Sequence, residues 1–207
     1  MLTFCLAHLV CNNINHVELI DFFDDFTNNF HSKKFRLETN ASFCKFITIR
    51  FDLVQFPHLM GLEKLNIFGS HARENIRLIQ KERITLKQIK KDDHFGEIKT
   101  RFTNYSFLEQ IFYTPFVPDF VSITNMHPKR LGSTDLLFFR ILNKRDMVCI
   151  GIAKDGNDYY VPTTLHVRKI PNDFQRLRRI RIIKKDWVLV RNNKNFGSSS
   201  NHSHPNN

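Results

Sequence analysis

The sequence is poor in the residues on which several kinds of functional site depend. Its 207 residues include seven glycines, four cysteines, four methionines and one tryptophan. The glycines form no Gly-rich phosphate loop, and no G-x-S-x-G segment of a hydrolase occurs. The cysteines show neither C-x-x-C spacing nor the density of a disulfide framework. They indicate buried thiols in a reducing compartment, at positions Cys5, Cys11, Cys44 and Cys149.

Metal-ligand spacings and long apolar runs are also missing. His71, His94 and His127 have no partner at H-x-x-x-H or H-E-x-x-H spacing, and His202 and His204 lie in a polar tail. No run approaches 18 consecutive apolar residues, so the sequence predicts no spanning helix. The opening MLTFCLAHLVC lacks a basic region and a cleavage site, and it predicts a short docking helix instead of a signal peptide. We therefore expect a cytoplasmic protein without a metal or other cofactor and without a membrane partner.

Positive charge is what the sequence has in excess. The formal net charge is +11, yet residues 1–60 hold six acidic and only five basic residues. Residues 166–194 hold ten Lys or Arg against two Asp. Such asymmetry favours a polyanionic partner, with nucleic acid first and an anionic membrane surface second, over a basic face that meets only water. The predicted RNA-binding residues in this stretch are Lys169, Arg176, Arg178, Arg179, Arg181, Lys184 and Lys185.

The first part of the chain has mainly helical periodicity. Apolar residues recur at helical spacing from Leu19 to Phe30, with acidic residues on the other face. Lys34–Glu38 and Lys45–Phe51 predict two strands joined by a hairpin through Thr39–Ser42. Pro57 predicts the opening of a helix over His58–Leu65. Helices are also predicted within residues 70–113, namely Leu86–Lys91 behind a Thr85 N-cap, Phe95–Phe102 and Ser106–Tyr113.

The pattern then changes to that of strands. Thr114–Pro128 is predicted to be irregular, and short β-branched and aromatic runs follow at Asp135–Leu142, Met147–Ala153, Asp158–Val161, Thr164–Ile170 and Ile180–Val190. The predicted fold is α+β, with N-terminal helices packed on a C-terminal antiparallel sheet of about four strands. It forms a single domain over residues 1–195, with a helical part at 1–115 and a sheet part at 120–195. Residues 196–207 predict a disordered tail.

One strand carries the residue types of a metal-free phosphodiesterase. Alternation in the segment 164–168 places Leu165 and Val167 on one face and Thr164, His166 and Arg168 on the other. RNA cleavage by attack of a 2′-hydroxyl needs one group to take the proton of that hydroxyl and one to protonate the leaving 5′-oxygen. It also needs a cation to stabilise the extra charge of the phosphorane. The alternative is a polar sheet face that touches water or phosphate only.

His58 is the second candidate. Directly after Pro57 it is expected in the first turn of a helix, where the dipole lowers the pKa of an imidazole and free backbone N–H groups receive phosphate. The competing interpretation is a partly buried histidine that packs or caps the helix.

The segment Phe56–Leu65, FPHLMGLEKL, resembles the F-P-H-L-x-G-L-x-K-L signature of a phage-associated branch of the barnase–EndoU–colicin–RelE-like nucleases. Ile84–Ile89, Glu97–Phe112 and Asp158–Arg168 resemble later elements of that branch in the same order. The resemblance, over residues 16–190, implies helices on a four-stranded antiparallel sheet and metal-independent RNA cleavage by scattered His, Lys or Arg, and Ser or Thr residues. By position it implies roles for His58, Lys64 and Thr164, whereas His166 and Arg168 come from the strand-face pattern alone.

The sequence thus predicts a metal-independent RNA endonuclease, acting as a toxin or phage-conflict effector. His58 and His166 are the expected proton-transfer pair, Arg168 or Lys64 the expected cation at the phosphorane, and Thr164 the expected contact that orients a phosphate. The alternative is a non-catalytic RNA- or DNA-binding module that uses the same basic stretch. A third hypothesis is a toxin-like protein whose main partner is an acidic antitoxin or immunity protein.

Overall fold

The computed structural model describes residues 17–124 and 131–188. No helix within these ranges is long and apolar enough to cross a membrane. The predicted docking helix at the start of the chain and the predicted disordered tail lie outside the described residues, as do Arg191 and Lys194 of the basic stretch.

The first helix, α1 (Leu19–Asn29), forms where the apolar periodicity predicts it. Leu19, Phe22, Phe23 and Phe26 are all buried, which confirms the predicted helical phase. The three phenylalanine rings pack edge to face or tilted against other core aromatic rings, an arrangement that the ring quadrupole favours. The abundance of phenylalanine in the composition therefore has a structural purpose in the core.

The predicted sheet is wrong in both size and topology. The described residues contain one seven-stranded mixed sheet in the order β3-β4-β5-β6-β2-β1-β7. Its strands are β1 (Lys34–Thr39), β2 (Phe46–Arg50), β3 (Asp119–Ser122), β4 (Leu136–Ile141), β5 (Asp146–Lys154), β6 (Tyr160–Lys169) and β7 (Ile182–Val188). The predicted N-terminal hairpin exists, but it belongs to this same sheet because β7 returns to pair with β1.

Two further differences concern individual strands. Residues 158–161 and 164–170 were predicted as separate strands, whereas β6 is a single strand with a register shift opposite Gly151 and Ile152. The segment 114–128, predicted to be irregular, contains β3, which pairs antiparallel with β4. Four residues are too few for alternation to reveal a strand, and β3 is stabilised by its partner.

The two halves of the sheet meet at a narrow parallel junction. β2 and β6 run parallel and share a register at Ile49 and Tyr160. The two edge strands, β3 and β7, are also linked, because the N–H of Ile180, two residues before β7, donates to the carbonyl of Phe120 in β3 at 2.7 Å. The sheet thus curves toward a half-barrel, with one face turned inward.

The helices cover the inner face. They are α2 (Gln55–Met60), α3 (Ala72–Gln80), α4 (Leu86–Ile89), α5 (Phe95–Thr103) and α6 (Ser106–Tyr113). Thr85 is the N-cap of α4 as expected, and it forms a reciprocal capping box with Gln88. The helices predicted at 95–102 and 106–113 are confirmed.

Two buried clusters separate the faces of the sheet. The main core contains Ile47 and Ile49 of β2 together with Leu165 of β6, so these side chains share the inner face. A smaller cluster on the opposite side joins Leu137, Phe139, Met147 and Cys149 to Phe174. Phe174 belongs to the segment that connects β6 to β7, so this connection covers the outer face of β4 and β5.

Candidate active site

The outer face of β6 presents Thr164, His166 and Arg168, as the alternation predicts. The intervening Leu165 is buried in the main core, and Val167 packs against that core. Across the strand pair, His166 lies opposite Cys149 and Arg168 opposite Met147. The Arg168 guanidinium lies 5.2 Å from the centroid of the Phe174 ring, so a cation–π contact holds it over the connection that follows.

His58 lies at the wrong end of its helix for the predicted dipole effect. α2 begins three residues before His58, and the Asp52 N–H donates to the Gln55 side chain at its start. Gly61, with φ of +71°, ends the helix, so His58 is in the last turn and has no free N–H groups for a phosphate. Its side chain is 49% exposed, and Nδ1 lies 3.8 Å from Glu63 Oε2.

The structure brings a residue into the site that the sequence analysis missed. Arg101 of α5 is only 3% exposed, although it carries a guanidinium. Its Nη1 donates to the carbonyls of His58 at 2.7 Å and Leu59 at 3.1 Å, which caps the C-terminal end of α2. Its Nη2 lies 3.4 Å from His166 Nε2. One guanidinium therefore joins the backbone of His58 to the imidazole of His166.

Gly61 makes this arrangement possible. A Cβ added at Gly61 would lie 2.6 Å from Arg101 Cζ and 2.8 Å from its Nε and Nη1. The same residue needs the left-handed conformation that ends α2. The glycine of the H-L-x-G-L segment is thus required twice, once for the turn and once for the close approach of Arg101.

The surroundings of His166 keep its imidazole neutral. Burial, followed by the charges of Arg101, Arg168 and Lys64, lowers the pKa of His166 from 6.5 to about 4. Lys64 Nζ is 3.1 Å from Glu97 Oε2, and Glu97 Oε1 is 3.1 Å from His94 Nδ1. A neutral imidazole near three cations can accept a proton at neutral pH, and an anion bound beside it would offset their charge.

Thr164 sits at the register shift of β6 and is not joined to the Arg101 contacts. Its methyl group faces Gly151, where an added Cβ would lie 3.0 Å from Thr164 Cγ2. The neighbouring Thr163 makes a hydroxyl–hydroxyl bond of 2.8 Å to Thr134. Cys149, directly across from His166, is fully buried, and burial raises the pKa of its thiol to about 12, so it remains a thiol.

The basic stretch does not form one continuous set of available cations. Lys185 Nζ donates to the carbonyls of Ile111, Thr114 and Phe116, so it caps the end of α6. Arg179 donates to Asp119 and to three backbone carbonyls. Of the seven predicted contacts, all but Lys185 are exposed, although Arg179 is held as described. Lys169 and Lys184 pair with Asp146 and Asp186 respectively. The other exposed cations are Arg176, Arg178 and Arg181.

Within residues 17–124 and 131–188 there is no group of three His, Cys, Asp or Glu side chains arranged to hold a metal ion. The candidate site consists of a partly buried, neutral imidazole with three cations near it on the outer face of β6, a set of groups suited to breaking phosphodiester bonds. These groups fit a nuclease as the class of protein.

Comparison with family models agrees with that class. The chain belongs to the family described as phage-Barnase-EndoU-ColicinE5/D-RelE like nuclease4, whose model matches residues 18–199. The family predicted from the FPHLMGLEKL segment is thereby confirmed. Comparisons with curated proteins and with solved structures give no match.

Proposed function

We propose that the chain is a metal-independent RNA endonuclease that cleaves by attack of the 2′-hydroxyl on the adjacent phosphodiester. The observation that carries this proposal is the environment of His166, whose imidazole is neutral and whose charged neighbours are Arg101, Arg168 and Lys64. Side chains, not a metal ion, then supply the positive charge that a phosphorane requires.

In this mechanism His166 is the general base. The unprotonated nitrogen is Nε2, because the Arg101 guanidinium 3.4 Å away can only donate. Nε2 exchanges this contact for the substrate and takes the proton of the 2′-hydroxyl, and the 2′-oxygen attacks phosphorus to give a pentacoordinate phosphorane. Arg168 and Lys64 stabilise the added negative charge, and Thr164 orients a phosphate oxygen. The bond to the 5′-oxygen then breaks, and this oxygen receives a proton from His58. The products are a 2′,3′-cyclic phosphate and a 5′-hydroxyl, so atoms and electrons balance without an oxidant or reductant.

His58 is suited to the second role because its ring is half-exposed and its backbone is tied to the same guanidinium that contacts His166. Glu63 Oε2, 3.8 Å from its Nδ1, lies where it can help to orient the ring. Arg101 is the positioning residue, since it contacts both histidines from a buried position but is too buried itself to meet the scissile phosphate.

The test is cleavage of a mixed RNA preparation in excess EDTA, with chemical mapping of the product ends. We expect 2′,3′-cyclic phosphate ends from the wild-type chain and a loss of at least about 100-fold in rate for His166→Ala and for His58→Ala. His71→Ala is the matched control, because His71 is exposed at the start of α3 and contributes nothing to the site. Intact RNA with tight binding would reject the enzyme and favour the binding module.

A role as a toxin or phage-conflict effector is a further part of the proposal. The net charge of +11 favours an acidic antitoxin or immunity protein as partner, and RNA cleavage inside the cytoplasm would make such a partner necessary. Expression of the wild-type chain should arrest growth, and expression of His166→Ala should not. Equal growth of both strains would reject this role.

A further inference from the structure

Two phenylalanine side chains on the β1–β2 hairpin are largely exposed. Phe43 is 69% exposed and Phe46 is 61% exposed, whereas nearly every other described phenylalanine is buried in a core. They lie three residues apart, Phe43 in the turn of the hairpin and Phe46 at the start of β2. Neighbouring exposed aromatic side chains commonly mark an interaction surface.

Positively charged side chains lie on the same part of the surface as these two rings. Lys45 Nζ lies 5.4 Å from the centroid of the Phe46 ring. Glu38 of β1 is in register with both Phe46 and Lys184, so Phe46 and Lys184 point to the same side of the sheet. Phe43 and the exposed Arg178 line one groove of about 730 Å³, which is also lined by Ser122 and Thr124.

This surface lies on the same face of the sheet as His166. Ile47 and Ile49 of β2 share the inner core with Leu165 of β6, so Phe46 and His166 both point outward. Because β2 and β6 run parallel with Ile49 beside Tyr160, nine strand residues separate Phe46 from His166. At about 3.3 Å per residue, the two positions are roughly 30 Å apart along the strands.

We propose that Phe43, Phe46, Lys45 and Arg178 form a binding surface for single-stranded RNA outside the reaction centre. The bases stack on the two phenylalanines, and the phosphates meet Lys45 and Arg178. Flat apolar rings next to cations match a nucleic-acid strand whose bases are free, because a duplex keeps the faces of its bases covered. The inference rests on the proposed ribonuclease function, for which it names the single strand as substrate.

The first test measures affinity with the inactive His166→Ala chain. The probes are a fluorescent unstructured RNA of about 16 nucleotides and the duplex of that RNA with its complement. We expect Phe43→Ala combined with Phe46→Ala to weaken single-strand binding at least about 10-fold and to leave duplex binding unchanged. The matched control is Val117→Ala combined with Ile141→Ala, which also removes two exposed apolar side chains, at a different groove. This control should bind RNA like the parent chain.

The second test separates this surface from the reaction centre. A stacked strand advances about 3.4 Å per nucleotide, so a dinucleoside monophosphate cannot reach from His166 to Phe46. In the active chain, the double phenylalanine substitution should therefore raise KM for the long RNA and leave kcat/KM for the dinucleotide unchanged. Failure of the wild-type chain to cleave either substrate would reject the ribonuclease but not the affinity result.

Three outcomes would overturn the inference. Unchanged single-strand affinity after the double substitution would show that the rings do not contact RNA. An equal loss for single strand and duplex would show that the surface does not stack on bases. Conversion of a dimer to a monomer by the substitution, with RNA affinity unchanged, would assign the surface to a second copy of the chain.

Discussion

Replacement of Arg101 tests the proposed site most directly. Arg101→Met keeps the length of the side chain but removes the charge and every donor. Two charge-assisted bonds, to the carbonyls of His58 and Leu59, are lost, at about 1.5–3 kcal/mol each. The guanidinium no longer has to be buried, which offsets part of this loss. We expect the free energy of unfolding to fall by about 3 kcal/mol, so the variant should still fold.

The effect on His166 is more specific than the loss of stability. Burial is the largest cause of its lowered pKa and remains in the variant, whereas the charge of Arg101, the second cause, is removed. The pKa of His166 should therefore rise from about 4 but stay below 6.5. Because a general base must be deprotonated, the acid limb of the profile of kcat/KM against pH should move to higher pH by the same amount.

The assay is a histidine proton NMR titration, with His166 assigned by its absence in His166→Ala and His71 as a reference resonance. Arg101→Lys is the second variant, because it keeps the positive charge but lacks the fork that reaches the carbonyls and the imidazole together. It should restore most of the His166 pKa shift but not the cleavage rate. A His166 pKa that does not change in Arg101→Met would refute the contact between the two side chains as the cause.

Stability against pH and against loss of a core ring provides two more predictions. Burial raises the pKa of Asp25, so the folded chain holds this proton more tightly than the unfolded chain, and the stabilisation present in acid is lost as the pH rises through the folded value. As the pH rises from 4 to neutral, the difference in unfolding free energy between Asp25→Asn and wild type should therefore shift in favour of the variant, as measured by urea unfolding, and an opposite shift would contradict this. Phe26→Ala should cost about 3–5 kcal/mol, because the ring is fully buried between Phe30 and Phe56. A urea midpoint like that of wild type would show that the core is more adaptable than this packing indicates.

Local patterns predicted most individual elements because each depends on neighbours in sequence. The helical stripe of α1, the N-cap at Thr85 and the alternation of residues 164–168 need no information from elsewhere in the chain. The sheet could not be assembled in this way. Whether β2 joins β6 or stays in a separate hairpin depends on a short parallel contact at Ile49 and Tyr160, which leaves no signature in either segment.

The candidate site was likewise predictable only where it depends on neighbours in sequence. Alternation places His166 and Arg168 on one face, but it does not reveal what lies above them. Arg101 did have a signal, since it falls between Ile98 and Phe102 on the buried stripe of α5, where a cation is unusual unless it has partners. The error at His58 came from a boundary, because a start of α2 three residues earlier reverses the end of the dipole that His58 meets.

Charge counted along the sequence overstates the number of cations that can meet RNA, and salt dependence can measure the difference. Of the seven predicted contacts, Arg179 and Lys185 are held by backbone carbonyls, which leaves five exposed cations without such contacts. If each meets one phosphate, these five should contribute about −3.5 to the slope of log affinity against log salt on single-stranded RNA.

Substitutions at the two kinds of position should then behave differently. Arg178→Gln combined with Arg181→Gln should flatten the slope by about 1.4, because the release of counterions from two phosphates is lost. Lys185→Met should lower the free energy of unfolding, since three carbonyls at the end of α6 lose their donor, yet it should leave the slope unchanged. A slope that flattens equally in both variants would mean that Lys185 leaves its carbonyls to bind RNA. Affinity that does not vary with salt in the wild-type chain would remove the basic stretch from RNA binding altogether.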